Sequence, residues 1–291
     1  MRIALRIEVT SSRGLREGVP NLMRLFNEYQ VPASFFFPLG KDLAGHDPMR
    51  TWAHRRQTGM RALAYGLFMP APAFDDESRR IAELARSNGH EIGVIGYSPL
   101  AWARHLAHAD SDWVAAQLEL LKLACGQPPF DASPALAVMD WQTHPDLIGA
   151  CEASRFRYTS MSRGRMPYLP VLQGQRATVP EIPTTLPTLP EMLRHAGVHA
   201  GNVHEYLYAE SRHLQPAGHV YSLSADLEGI GALDVMEKLL IMWKGQDGSI
   251  RRLGDVLRDI DESTLPRHRM GWGQVAGNRR HVVMQSLEVP A

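Results

Sequence analysis

A chain of 291 residues, 44% of them hydrophobic, is long enough to bury a substantial core in one large α/β domain or two small ones. Its 31 Lys and Arg balance 31 Asp and Glu, so the basic excess of a general polyanion binder is missing and nucleic acid is not an expected partner. Cys125 and Cys151 are too few and too far apart for a disulfide scaffold or a thiolate metal site, and they read as buried thiols in a reducing compartment.

Ile3, Leu5, Ile7 and Val9 alternate with Arg2, Ala4, Arg6 and Glu8 before Ser11, Ser12 and Gly14. The pattern predicts a strand that opens into a loop, with Glu8 and Thr10 at the mouth of the sheet or barrel, where α/β folds hold their ligands. Val19, Leu22, Met23, Leu25 and Phe26 then follow helical spacing across residues 16–29, with Pro20 near the start. A second buried strand is expected within 31–39. Residues 41–73 form an excursion in which Trp52, Met60, Leu67, Phe68 and Met69 recur among Gly and Pro. These side chains either cover the core or present an apolar lip to lipid or a partner.

A helix over 74–88, capped by Asp75 and Asp76, is followed by a strand over 90–95, a loop through Tyr97, Ser98 and Pro99, and a helix over 110–124. Next come a short strand at 135–139, a loop carrying Asp140 and Trp141, a helix over 144–153 and a strand over 156–159. Residues 162–175 read as a basic loop, and Pro180, Pro183 and Pro187 rule out a long regular element nearby. A helix at 199–210, a strand at 219–223, a helix at 231–243, a short strand at 249–252 and a helix at 254–260 complete the series. Alternation without a linker predicts one α/β barrel domain over 1–265, with 266–291 as a tail that is an ordered flap or mobile. No run is long and apolar enough to cross a bilayer, and the chain opens directly into a strand. A cytoplasmic location is expected, with peripheral contact at the inner membrane left open.

Several motifs together resemble a family. Leu5-Arg6-Ile7-Glu8-Val9, Arg13-Gly14, Arg16-Glu17-Gly18-Val19-Pro20, His90-Glu91-Ile92-Gly93, Arg157-Tyr158-Thr159-Ser160 and Ile182-Pro183-Thr184-Thr185 occur in the order found in the bacterial deformylases of formamido-arabinose linked to undecaprenyl phosphate. Those enzymes belong to the polysaccharide deacetylase superfamily. The resemblance implies a distorted, incomplete barrel of seven or eight strands. It also implies chemistry in which a divalent metal, commonly zinc, is held by one Asp and two His, beside an Asp base and a later His acid. Such a set suits amide hydrolysis: the metal polarises the carbonyl and activates water, the carboxylate takes its proton, and imidazole protonates the amine.

Carried over residue by residue, the resemblance sets Glu8 at the base position, Thr10 at the metal Asp, and Ile95 and Pro99 at the metal histidines. Gln142 stands where an Arg orients the base, Ser224 at the acid histidine, and Met161 at a further acidic position. Neither Ile95 nor Pro99 can ligate a metal, so the sequence is that of a non-catalytic relative with no cofactor. A displaced zinc site is the alternative, drawing on His46, His54, His105 or His108 with Glu8 or Asp226. His204-Glu205 lacks a full metallopeptidase pattern, and Ser98 and Ser224 lack a nucleophile elbow. If the barrel closes as the family implies, Arg13, Arg16, Arg163 and Arg165 meet at one rim suited to a carrier phosphate, or else pair with carboxylates such as Glu17. Tyr97, Trp141, Asp226 and Glu228 complete the candidate ligand or partner rim. The leading functional expectation is an accessory subunit bound to a protein partner, such as a catalytically intact relative. A non-hydrolytic binder of a glycosylated polyprenyl phosphate and a displaced-site hydrolase of formamido or acetamido sugars stand beside it.

Overall fold

A computed structural model describes residues 1–132, 134–246 and 248–290. Its strands are β1 (Arg2–Glu8), β2 (Ser34–Phe37), β3 (Glu91–Ile95), β4 (Ala135–Ala137), β5 (Thr159–Ser160), β6 (Leu169–Leu172), β7 (Gln175–Arg176), β8 (His219–Ser224), β9 (Ser249–Arg251), β10 (Arg267–Gln274) and β11 (His281–Val289). Seven of these build a curled parallel half-barrel in the order β5-β4-β3-β2-β1-β8, with β9 paired to the first residues of β1. The fold is the expected distorted α/β barrel.

The alternation along β1 has a different meaning from a half-buried strand, because both faces are covered. Ile3, Leu5 and Ile7 pack with Leu22, Phe26 and Ile81 of the surrounding helices, while Ala4 joins Phe36 and Ile95 in a second core inside the curl. Arg6 lies on that inner face with no exposed surface. Parallel strands sandwiched in this way lose the apolar-in, polar-out code.

Helix Val19–Glu28 buries the stripe read from the sequence, and helix Ser111–Cys125 is capped by the Asp110 carboxylate, which accepts from the Trp113 N–H. Asp75 and Asp76 do not cap helix Asp75–Ser87; its N-cap is Phe74, and the acids occupy the first turn, where they complement the helix dipole. The excursion after β2 resolves into short turns at Ala44–His46, Pro48–Ala53, Arg55–Thr58 and Met60–Ala64.

The tail is a hairpin of β10 and β11, Ala291 lying outside the described residues. β10 pairs in parallel with β6, and β7 turns back against β6, giving a second sheet in the order β11-β10-β6-β7. Part of the stretch expected to be a basic loop is therefore strand. Pro167 and Pro170 hide it in the sequence, since only a partner strand from the far end of the chain completes it. The hairpin is stitched to the barrel: Arg163 N donates to Val283 O (2.8 Å) and Gln285 N to Arg163 O (2.7 Å).

Two single-turn π-helices, Gly14–Gly18 after β1 and Leu227–Gly231 after β8, pack against each other at the mouth. A Cβ on Gly18 would lie 1.9 Å from Ala225 O, and one on Gly229 would lie 2.7 Å from Gly18 O. Gly18 is thus a packing glycine that lets two backbones meet. π-Turns of this kind concentrate at functional sites.

Candidate functional site

The carboxyl ends of β1 and β8, the excursion and the hairpin tip enclose a cavity of about 480 Å³. Its floor is acidic. Glu8 ends β1 and accepts from Arg6 Nη1, which also donates to Ser222 Oγ (2.7 Å); Arg6 Nη2 donates to Val138 O (3.0 Å) and Ser160 O (3.1 Å). Arg6 therefore ties β1, β5, β8 and the residue that follows β4 to one carboxylate. Burial pushes Glu8 above the usual carboxylate range despite the Arg6 charge beside it.

Asp226 accepts from Thr10 Oγ1 (2.8 Å) and from Ser11 Oγ, which itself accepts from Gly14 N (3.0 Å). Ser224 Oγ accepts from Asp226 N (3.1 Å), and Ser224 N donates to Glu228 (2.8 Å). Burial raises Glu228 to about 7, and the Glu8 charge adds to the effect. The turn after β8 thus folds its own polar groups around the mouth.

The opposite wall is built on Asp140. Asp140 and Trp141 both have positive φ, at 57° and 50°, a sparsely populated conformation for residues with side chains. The turn brings the Asp140 carboxylate to Arg50, in a two-point contact, and to Arg280 Nη1 (3.2 Å). Burial works against the Asp140 charge, yet the two guanidiniums overcome it and hold the group below its ordinary range. Arg194 and Arg279 complete a cationic rim over the acidic floor.

Of the residues singled out from the sequence, Glu8, Thr10, Trp141, Ser224, Asp226 and Glu228 line this cavity. Of the two alternatives for the arginines, pairing with carboxylates is the one found for Arg13, Arg16 and Arg163, and they form no common rim. Arg163 is buried in an ion pair with Glu191 (2.8 and 3.0 Å) and lies 4.7 Å over the Trp141 ring. Arg13 pairs with Glu17 (2.9 Å), Arg16 pairs with Glu77 (2.7 Å), and exposed Arg165 lies outside the cavity lining. Tyr97 is also outside it, its carbonyl accepting from Gly40 N (2.6 Å). Arg50, Asp140, Arg194, Arg279 and Arg280, which the sequence reading did not single out together, take those places. Of these, the sequence reading placed only Asp140, in the loop it shares with Trp141.

The residues present do not fit a divalent metal at the family position. Thr10 donates its hydroxyl to Asp226, Ile95 is fully buried in the inner core, and Pro99 is the first residue of helix Pro99–His105. Glu8 faces a guanidinium instead of a cation site. Gln142 donates to Asp140 O (3.1 Å) and His281 O (3.0 Å), so its role is to hold the hairpin. Met161 is buried beneath Thr143. Of the four candidate histidines only His54 lines the cavity: His46 contacts Gly66 O (3.1 Å), exposed His105 sits 6.1 Å from the Trp113 ring, and His108 borders a separate cleft. The displaced zinc set of Glu8 with His105 is not assembled. Among the described residues no three His, Cys, Asp or Glu side chains gather as a metal-holding group.

Known proteins place this arrangement in context. No protein-family model matches the chain. It is 29% identical over 267 residues to a probable 4-deoxy-4-formamido-L-arabinose-phosphoundecaprenol deformylase, ArnD, of Shewanella sediminis (strain HAW-EB3), an alignment covering 84% of this chain and 81% of that protein. The protein of the same description from Wigglesworthia glossinidia brevipalpis is 25% identical over 191 residues, covering 62% and 67%. Among solved structures, a candidate polysaccharide deacetylase from Mycobacterium smegmatis superposes with a TM-score of 0.62 at 16% identity, covering 94% of both chains. A probable polysaccharide deacetylase from Pseudomonas aeruginosa PAO1 gives 0.54 at 14% identity, covering 88% and 89%.

Proposed function

We propose that this chain, which has the polysaccharide deacetylase fold and is homologous to the probable deformylases of a lipid-linked formamido sugar, is a non-hydrolytic binder of a glycosylated polyprenyl phosphate. The observation that carries this reading is the closure of Glu8 and Thr10 into hydrogen bonds with Arg6, Ser222 and Asp226 beside a cavity that remains open. Amide hydrolysis asks for an activated water, a base free to take its proton and an acid for the departing amine. Glu8 is tied to a guanidinium. Among the described residues His54 is the one imidazole on the cavity wall, and burial, with Arg50 beside it, pushes it below its ordinary value. Both effects favour the neutral ring over the imidazolium. The acidic floor and arginine rim suit a small polar ligand with donor groups at one end and negative charge at the other.

The carrier chain would lie along Met49, Trp52, Leu67 and Phe68, which are 82%, 53%, 54% and 90% exposed. Met49 also lines the cavity, so lip and cavity are continuous, and Arg55 stacks on Trp52 at 4.7 Å, giving the lip a cationic edge. No described helix is long and apolar enough to cross a membrane.

Titration with a soluble 4-formamido-arabinosyl phosphate tests the reading. Saturable binding with no formate released, with or without added zinc, is the expected result, and catalytic formate release would overturn it. On vesicles containing anionic lipid, Leu67→Ser/Phe68→Ser should lower the sedimented fraction several-fold. The second reading, an accessory subunit of a catalytically intact relative, draws on the same exposed lip. A single species on sizing a mixture of the two proteins, unchanged by lipid, would favour it.

A further inference from the structure

A second cleft, about 670 Å³, adjoins the cavity and shares Asp47, Arg279 and Arg280 with it. Arg104, His108, Gln142, Trp272 and His281 supply the rest of its polar lining, and Asp47 is the only carboxylate among the described residues that line it. Arg280 is committed to Asp140 (3.2 Å) and, more loosely, to Asp47 (3.7 Å). Among the described residues, Arg104 and Arg279 have no carboxylate partner. Two unneutralised guanidiniums beside two imidazoles form a concentrated positive field in a concave site.

The backbone under these groups is fixed. Arg280 N donates to Asn278 Oδ1 (3.0 Å), Asn278 Nδ2 donates to the buried Glu191 (3.0 Å), and Gln142 holds His281 O from the barrel side (3.0 Å). The hairpin tip therefore presents Arg279 from an anchored turn, which lowers the ordering cost of capturing an anion. Arg104 reaches the same cleft from helix Pro99–His105.

We infer that this cleft is a phosphoryl-binding subsite. Planar guanidinium forks match the paired oxygens of a phosphate ester, and imidazoles add further donors. The inference rests on the binding function proposed above in one respect: a ligand whose sugar fills the cavity carries its phosphate past Arg279 and Arg280 into the cleft. It moves the phosphate away from Arg13, Arg16 and Arg163, whose charges are already met.

Calorimetric titration of the full chain at low ionic strength, with inorganic phosphate and with methyl phosphate, tests it. The unaltered protein should bind both, Arg104→Gln/Arg279→Gln should bind about tenfold more weakly, and Arg13→Gln/Arg165→Gln should match the parent. All four positions carry side chains outside the core, and thermal melts check that the variants fold. No binding by the parent, or equal binding by the two double variants, overturns the inference. A phosphate-free methyl 4-formamido-arabinoside separates the two readings. Phosphate binding without sugar binding leaves the cleft standing and counts against the proposed function, whereas sugar binding without phosphate binding overturns the cleft alone. Vesicles doped with polyprenyl phosphate identify the source: retention above undoped vesicles that is lost in Arg104→Gln/Arg279→Gln assigns a lipid headgroup, and equal retention alongside methyl phosphate binding assigns a soluble ester.

Discussion

Arg6 and Glu8 stand two residues apart on the inner face of β1, and their pairing decides what the cavity floor is. Arg6 is fully buried and Glu8 nearly so, so removing the cation strands a carboxylate in low dielectric. Arg6→Met should cost about 3–5 kcal/mol in urea denaturation, and Arg6→Met/Glu8→Met should recover most of it, because the loss comes from the unpaired charge. Glu228 sets a pH dependence of opposite sign to that of an ordinary salt-bridged acid. Its folded value, about 7, lies above the ordinary carboxyl value of 4.5, so the folded state holds a proton that the unfolded chain releases. Its contribution is fully present below about 4.5 and is lost as pH rises to about 7. Denaturation midpoints of Glu228→Gln should decline less between pH 5 and pH 8 than those of the parent. Glu8, Thr10, Ser224, Asp226 and Glu228 were legible as mouth residues because each ends or follows a strand with a clear pattern. Arg6 was given no role, since alternation cannot tell a solvated face from the inside of a curl. Arg50 and Arg280 were invisible, because they meet Asp140 across 90 and 140 residues of chain.

The two π-turns and the C-terminal hairpin show what kind of element escapes a reading by period. The glycines after β1 were recognisable as a loop signal, but their purpose lies in a partner turn more than two hundred residues away. Gly18→Ala drives a Cβ into the Ala225 carbonyl and should lower stability by about 1–3 kcal/mol, read from thermal melts. Gly271→Ala, whose Cβ would meet nothing within 4 Å, should change it by less than about 0.5 kcal/mol. β10 was unreadable because Gly271 and Gly273 interrupt its alternation, and β6 because prolines flank and enter it. Both persist because they pair with each other. The central strands were legible because Phe35, Phe36, Phe37 and the Ile and Val of β1 and β3 are apolar whatever their partners.

At the scale of the whole molecule, the hairpin packs into the barrel. Val282 and Val283 are fully buried, and Arg163, itself paired with Glu191, takes its strand bridge from β11. A chain ending at Leu265 should therefore lose its cooperative thermal transition and expose dye-binding apolar surface, in contrast to a barrel that has merely shed an ornament. The same architecture divides the cavity between two sheets. Glu8 and Asp226 approach it from the ends of β1 and β8, whereas Asn278, Arg279 and Arg280 approach it from the turn between β10 and β11. Any slippage of one sheet past the other would thus reset the spacing between the acidic floor and the cationic rim, with neither wall changed within itself.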